Sequence, residues 1–80
     1  MNREEAFETF KATAAEVLAV PAEKVTVDAK FADDLDADSL DLVEFVMALE
    51  EKFDISVPEE ELEGVDTIGK AFDLVMGKLG

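Results

Sequence analysis

Ser39 stands in the run Asp-Asp-Leu-Asp-Ala-Asp-Ser-Leu-Asp-Leu-Val-Glu, residues 33–44, with carboxylates on both sides of its hydroxyl. A hydroxyl in that setting has three uses. It can open a helix, as serine often does, yet Asp38 already fills the capping position and leaves that role redundant. It can be a catalytic nucleophile, which needs a neighbouring base. The chain has no histidine and no cysteine, so a serine–histidine arrangement is impossible. Lys30 is the nearest upstream lysine, and nothing in the sequence pairs it with the serine. The third use is to accept a group from a separate enzyme. That needs only an exposed helix terminus and a recognisable acidic surround, and the chain is expected to be a substrate of such an enzyme rather than an enzyme.

The same acids raise a metal reading. Asp34, Asp36 and Asp38 occupy positions 1, 3 and 5 of an EF-hand loop, but Ser39 and Phe45 stand where glycine and glutamate are required. Starting at Asp33 brings Glu44 to the last ligand position and puts Leu35 and Ala37 where ligands should be. No specific metal site is expected, only diffuse divalent-ion binding that relieves repulsion.

The net charge is −14, from 21 acids against 7 basic residues. Residues 33–66 hold 14 of those acids and one base, Lys52, so this stretch alone carries −13. Solubility needs no such concentration in one part of a chain. A single-signed field disfavours nucleic-acid phosphate and anionic membranes, and it steers basic partners toward this region. No cysteine means neither a disulfide framework nor a thiolate zinc site. The start, Met-Asn-Arg-Glu-Glu-Ala-Phe, lacks a basic region followed by an apolar run, and no stretch reaches the ~18 apolar residues of a membrane span. A cytoplasmic, soluble protein is expected. No coiled-coil or self-complementary charge pattern argues against a monomer.

The elements that must position Ser39 follow from periodicity. Residues 1–80 read as one domain with no repeat or linker. A first helix is predicted over 3–19, with Asn2 as its cap, Glu5 in capping-box spacing, and Phe7, Phe10, Ala14, Val17 and Leu18 on one face. Val20-Pro21 ends it. Residues 20–37 form a long loop, which Phe31 and Leu35 are expected to pin to the core. Asp38 caps a second helix running to about Phe53, a short turn covers 59–63 after Pro58, and Asp66 or Thr67 caps a last helix presenting Ile68, Ala71, Phe72 and Val75. The fold class is all-α: a small bundle of three main helices plus one short helix.

The second helix carries more apolar surface than one core face needs. Leu42, Phe45, Val46, Leu49 and Phe53 form one stripe. Ser39, Val43 and Met47 form another, edged by Asp38, Asp41, Glu44, Glu50 and Glu51. A central helix could bury both stripes, but the flanking acids would then be costly to bury. An apolar stripe rimmed with carboxylates and headed by a serine fits a docking face for basic partners.

The segment Phe31-Ala-Asp-Asp-Leu-Asp-Ala-Asp-Ser-Leu-Asp-Leu-Val-Glu-Phe-Val-Met-Ala-Leu-Glu-Glu-Lys-Phe resembles the signature of acyl carrier proteins. Ile55-Ser-Val-Pro-Glu-Glu-Glu-Leu and Val65-Asp-Thr-Ile-Gly match the same family's third-helix region and fourth-helix start, and the resemblance spans roughly Glu4 to Leu79. It implies that Ser39 carries 4′-phosphopantetheine, transferred from coenzyme A by a phosphopantetheinyl transferase using magnesium. The arm's thiol would hold acyl chains as thioesters for basic-faced synthase enzymes. Asp38, Asp41, Val43, Glu44, Met47, Glu50 and Glu51 correspond to the family's partner-recognition helix. Leu42, Val46, Leu49, Phe53, Leu62, Ile68 and Phe72 would line the core that shelters the acyl chain.

One position departs from the family pattern: Asp36 stands two residues before Asp38, where glycine is common. The high acidity favours a freestanding fatty-acid carrier. A dedicated polyketide carrier stays open, as does an unmodified acidic adaptor that binds basic proteins through the second helix.

Overall fold

The computed structural model describes residues 2–79, and the helix signals of the sequence reappear in it with specific hydrogen bonds behind them. Helix α1 spans Arg3–Leu18. Asn2 Oδ1 accepts from the Glu5 N–H at 2.8 Å, and Asn2 Nδ2 donates to Glu5 Oε1 at 3.3 Å, so the expected capping pair closes side chain to side chain. The helix stops one residue early because Ala19 turns left-handed, at φ 55°, and directs its N–H to the Ala15 carbonyl.

Residues 20–37 are mostly irregular, as expected, with a short 3₁₀ turn over Ala22–Lys24. Phe31 and Leu35 do fasten the segment, at 4% and 3% exposure. A further tie was not legible beforehand. Lys30 and Thr67 face each other in an isolated antiparallel bridge, in which Phe31 donates to the Asp66 carbonyl at 3.0 Å and Ile68 to the Ala29 carbonyl at 2.9 Å. The loop is thereby fixed to the start of the last helix, although no strand longer than this bridge forms among the described residues.

Helix α2 spans Ser39–Phe53 and helix α3 spans Ile68–Leu79. Of the two candidate caps for α3, Thr67 does the work: its Oγ1 accepts from the Lys70 N–H at 3.2 Å. Asp66 instead receives the Lys70 ammonium at 2.8 Å, and that hydrogen bond holds its carboxyl below the usual range. Between α2 and α3, Pro58 precedes a 3₁₀ turn over Glu59–Leu62. Lys78 on α3 reaches this turn, with its Nζ 2.9 Å from Glu61 Oε1 and 2.7 Å from Oε2.

The core joins the three helices through phenylalanine. Phe10, fully buried, meets Phe45 of α2 edge to face at 5.1 Å and Phe72 of α3 at 5.4 Å. Phe31 brings the long loop to the same cluster, 6.0 Å from Phe45. The predicted α2 core stripe is buried at Phe45, Val46, Leu49 and Phe53, while Leu42 is only half-buried.

Candidate functional site

Ser39 is the first residue of α2, and it is exposed. The helix start does not depend on it. Asp38 Oδ1 accepts from the Asp41 N–H at 2.9 Å, and Asp41 Oδ2 accepts in return from the Asp38 N–H at 3.3 Å. This reciprocal box satisfies orphan donors of the first turn. The hydroxyl of Ser39 is left without a structural task, at a helix start held by its neighbours' hydrogen bonds.

The segment leading into Ser39 is equally constrained. The Asp34 and Leu35 N–H groups both donate to the Lys30 carbonyl, at 2.9 and 3.1 Å, and Ala37 donates to the Phe31 carbonyl at 2.7 Å. Asp34 Oδ2 accepts from the Lys30 N–H at 2.8 Å. Asp36 makes the turn at φ 53°. That is the left-handed region, where glycine is at ease and aspartate is among the few side chains that are tolerated. The unusual residue therefore sits on the one backbone conformation near Ser39 that favours glycine.

Two clefts open at Ser39. The larger, about 730 Å³, lies between α2 and the 58–63 segment and is lined by Leu42, Val43, Pro58, Glu59, Leu62 and Glu63, among others. The smaller, about 370 Å³, lies between α2 and the 30–37 turn, with Lys30, Phe31, Ala37, Leu42, Val65 and Asp66 on its walls. Ser39 and Leu42 belong to both. An exposed hydroxyl flanked by grooves lined by both apolar and charged side chains can carry a slender, flexible substituent. The residues fit such a group.

The residues named from sequence divide into distinct sets. Of those assigned to shelter an acyl chain, Leu42 and Leu62 line the larger cleft. Leu49, Phe53, Ile68 and Phe72 are packed into the main core, and Phe72 stands on the α1 side, 5.0 Å from Phe7. Val46 is buried apart from that cluster.

Of the residues assigned to partner recognition, Glu44, Met47 and Glu51 are exposed, Asp41 and Val43 are half-buried, and Asp38 is exposed but engaged in the cap. Glu50, assigned to the acidic rim, is half-buried and has a structural task as well. Its Oε2 accepts from the Val57 N–H at 2.8 Å, and its carbonyl accepts from the Asp54 and Ile55 N–H groups where α2 ends. One of its carboxylate oxygens therefore holds the exit loop.

Sequence reasoning also passed over Leu40, which is 66% exposed beside Ser39. Met47, 59% exposed, lies two helical turns along the same stripe, and Glu44 and Glu51 stand beside them. The seven-residue spacing of Leu40 and Met47 carried that signal, but only Met47 was assigned to the docking stripe. Among the described residues, no group of three acids converges as a metal site, and no helix is long and apolar enough to cross a membrane.

Comparison with known proteins places this geometry among relatives. Residues 8–75 match the family model described as a phosphopantetheine attachment site. An acyl carrier protein of Thermosynechococcus vestitus is 47% identical over 79 residues, covering 99% of this chain and 98% of that protein. One from Petrotoga mobilis is 44% identical over 79 residues, covering 99% and 93%. Among solved structures, an acyl carrier protein from Enterococcus faecalis superposes with a TM-score of 0.76 at 32% identity, covering 98% of this chain and 99% of that one.

Proposed function

Because this chain belongs to the acyl carrier protein family, with its covalently attached 4′-phosphopantetheine, we propose that Ser39 holds that group and that α2 presents the loaded carrier to separate enzymes of fatty-acid synthesis. The protein carries and does not catalyse. When bound, the group supplies a terminal thiol on which acyl chains ride as thioesters.

The exposed Ser39 hydroxyl, freed from capping by the Asp38–Asp41 box, is the observation that carries this assignment. Loading requires Ser39 Oγ to lose its proton and bond to the phosphorus that bears pantetheine as the phosphoanhydride of coenzyme A breaks and adenosine 3′,5′-bisphosphate leaves. The chain has no histidine or cysteine to take that proton, and the nearest carboxylates, Asp38 and Asp41, are engaged in the helix cap, so we assign the base to the phosphopantetheinyl transferase. What this chain supplies is a fixed position: a rigid turn before Ser39 and a capped helix after it.

The chain's own apolar residues suggest where the cargo lies. Leu42 and Leu62 face each other across the larger cleft, and the buried Val46 lies one helical turn beyond Leu42. Leu40 and Met47, with Glu44 and Glu51 at their sides, offer basic-faced enzymes an apolar contact inside a negative field. The −13 charge over residues 33–66 supports the freestanding fatty-acid reading over the polyketide one.

Two measurements test the proposal. Incubation with coenzyme A, magnesium and a broad-specificity phosphopantetheinyl transferase should add the mass of one phosphopantetheine, and Ser39→Ala should add none. The loaded protein should then support chain elongation with purified fatty-acid synthase enzymes. Elongation only with a polyketide ketosynthase would overturn the pathway, and no mass gain on folded protein would overturn the attachment site.

A further inference from the structure

Lys30 is the one basic residue on the walls of the two clefts that meet at Ser39, among the described residues. Its backbone is fixed on every side. The N–H donates to Asp34 Oδ2, the carbonyl accepts from Asp34 and Leu35, and the residue is bridged to Thr67. Its side chain is not similarly engaged. The Nζ comes no closer to an acid than 4.0 Å, at Asp33 Oδ2, and the side chain is 57% exposed.

The other acids near the smaller cleft are already occupied. Asp66 takes the Lys70 ammonium at 2.8 Å, and Asp38 and Asp41 cap α2. A phosphodiester formed at Ser39 would add negative charge to a rim that holds Asp33, Asp38 and Asp66 and a single cation. A phosphate oxygen is a strong acceptor for an ammonium, and such a pair offsets repulsion from the neighbouring carboxylates.

We propose that Lys30 is the counter-ion of the phosphodiester at Ser39, a positioning residue that draws the base of the arm toward the cleft between α2 and the 30–37 turn. This rests on the carrier reading above. The apolar walls of that cleft, Phe31, Ala37, Leu42 and Val65, then lie beside the first segment of the arm, and the larger cleft stays open to cargo.

The test compares unloaded and loaded protein by NMR, with intact mass confirming one phosphopantetheine on Ser39. On loading, the Lys30 side-chain nitrogen and its attached protons should shift more than those of Lys52, Lys70 or Lys78. The ³¹P resonance of the loaded protein should move in Lys30→Gln and return in Lys30→Arg. Raising salt should shrink the difference between wild type and Lys30→Gln, because the pair is solvent-exposed. A full mass gain with an unmoved Lys30 signal and a ³¹P resonance identical in all variants would overturn this assignment and leave the carrier reading intact. No mass gain would overturn both.

Discussion

Gly69 and Val27 touch backbone to backbone. The Gly69 N–H donates to the Val27 carbonyl at 2.9 Å, and a Cβ added at Gly69 would lie 2.8 Å from Val27 Cγ1 and 2.9 Å from that same oxygen. The first turn of α3 thus presses against the long loop at a point where only glycine fits. Alanine would gain about 1 kcal/mol of helix propensity. It would also force the loop away, a strain of about 1–3 kcal/mol in a packed contact. The carbonyl cannot rotate aside as a side-chain tip could, so strain should win. Gly69→Ala is expected to lower the melting temperature by several degrees, given ~4–8 °C per kcal/mol for a domain of this size. Adding Val27→Ala should recover only part of the loss, since the oxygen clash remains. A melting temperature at or above wild type for Gly69→Ala would show that the loop is not held there.

Asp36 supplies a second backbone test. At φ 53° a residue with a Cβ pays roughly 1–2 kcal/mol, and aspartate pays less than most. Glycine removes that strain but adds about 0.5–1 kcal/mol of unfolded-chain entropy. Asp36→Gly should therefore change stability by less than about 1 kcal/mol, with the loss of one charge from a crowded acidic region favouring the gain. Asp36→Val should destabilise, because a β-branched side chain suits this region least. Chemical denaturation of the two variants checks the order. Equal stability for glycine and valine would mean that the turn does not require the left-handed conformation.

The helices were legible because their signals are local. Asn2, Asp38 and Thr67 are capping residues beside apolar runs of helical period, and each makes the expected bond. Phe31 and Leu35 could be assigned to the core because two large apolar residues in a polar loop have few other places to go. Glu50 was not legible: nothing local distinguishes it from Glu51, and its bond to Val57 depends on how the chain turns after α2. Leu40 was passed over because the four-residue spacing of Ser39, Val43 and Met47 leaves it out, although it stands seven residues before Met47. The Lys30–Thr67 bridge joins residues far apart in sequence, and no periodicity announces a contact of that kind.

Charge should make the fold respond to salt. Arg3, Lys11, Lys30, Lys70 and Lys78 take part in ion pairs, most of them exposed, and each such pair contributes at most ~1 kcal/mol that salt would weaken. Against them stands repulsion among 21 acids with only 7 bases to offset it. Screening acts on both, over a Debye length that falls from about 30 Å at 0.01 M to about 10 Å at 0.1 M. The larger unbalanced term is the repulsion, so the melting temperature should rise across that range. A flat or falling curve would mean that the ion pairs outweigh the excess charge.

The exposed and buried faces of α2 should separate binding from stability. Phe53 is 7% exposed and belongs to the core cluster, so Phe53→Ala should cost about 3–5 kcal/mol, much of what an 80-residue domain has. Leu40 and Met47 are 66% and 59% exposed, so alanine at either should change stability by no more than about 0.5 kcal/mol. If the α2 face docks enzymes, Leu40→Ala and Met47→Ala should weaken binding to a partner synthase, with most of the change in dissociation rate. Glu44→Lys and Glu51→Lys should instead slow association and reduce its salt dependence, because rim charges steer encounter. Calorimetry and surface-binding kinetics on the same protein samples give both readouts. Full-strength binding by the Leu40→Ala, Met47→Ala double variant would show that partners approach by another face.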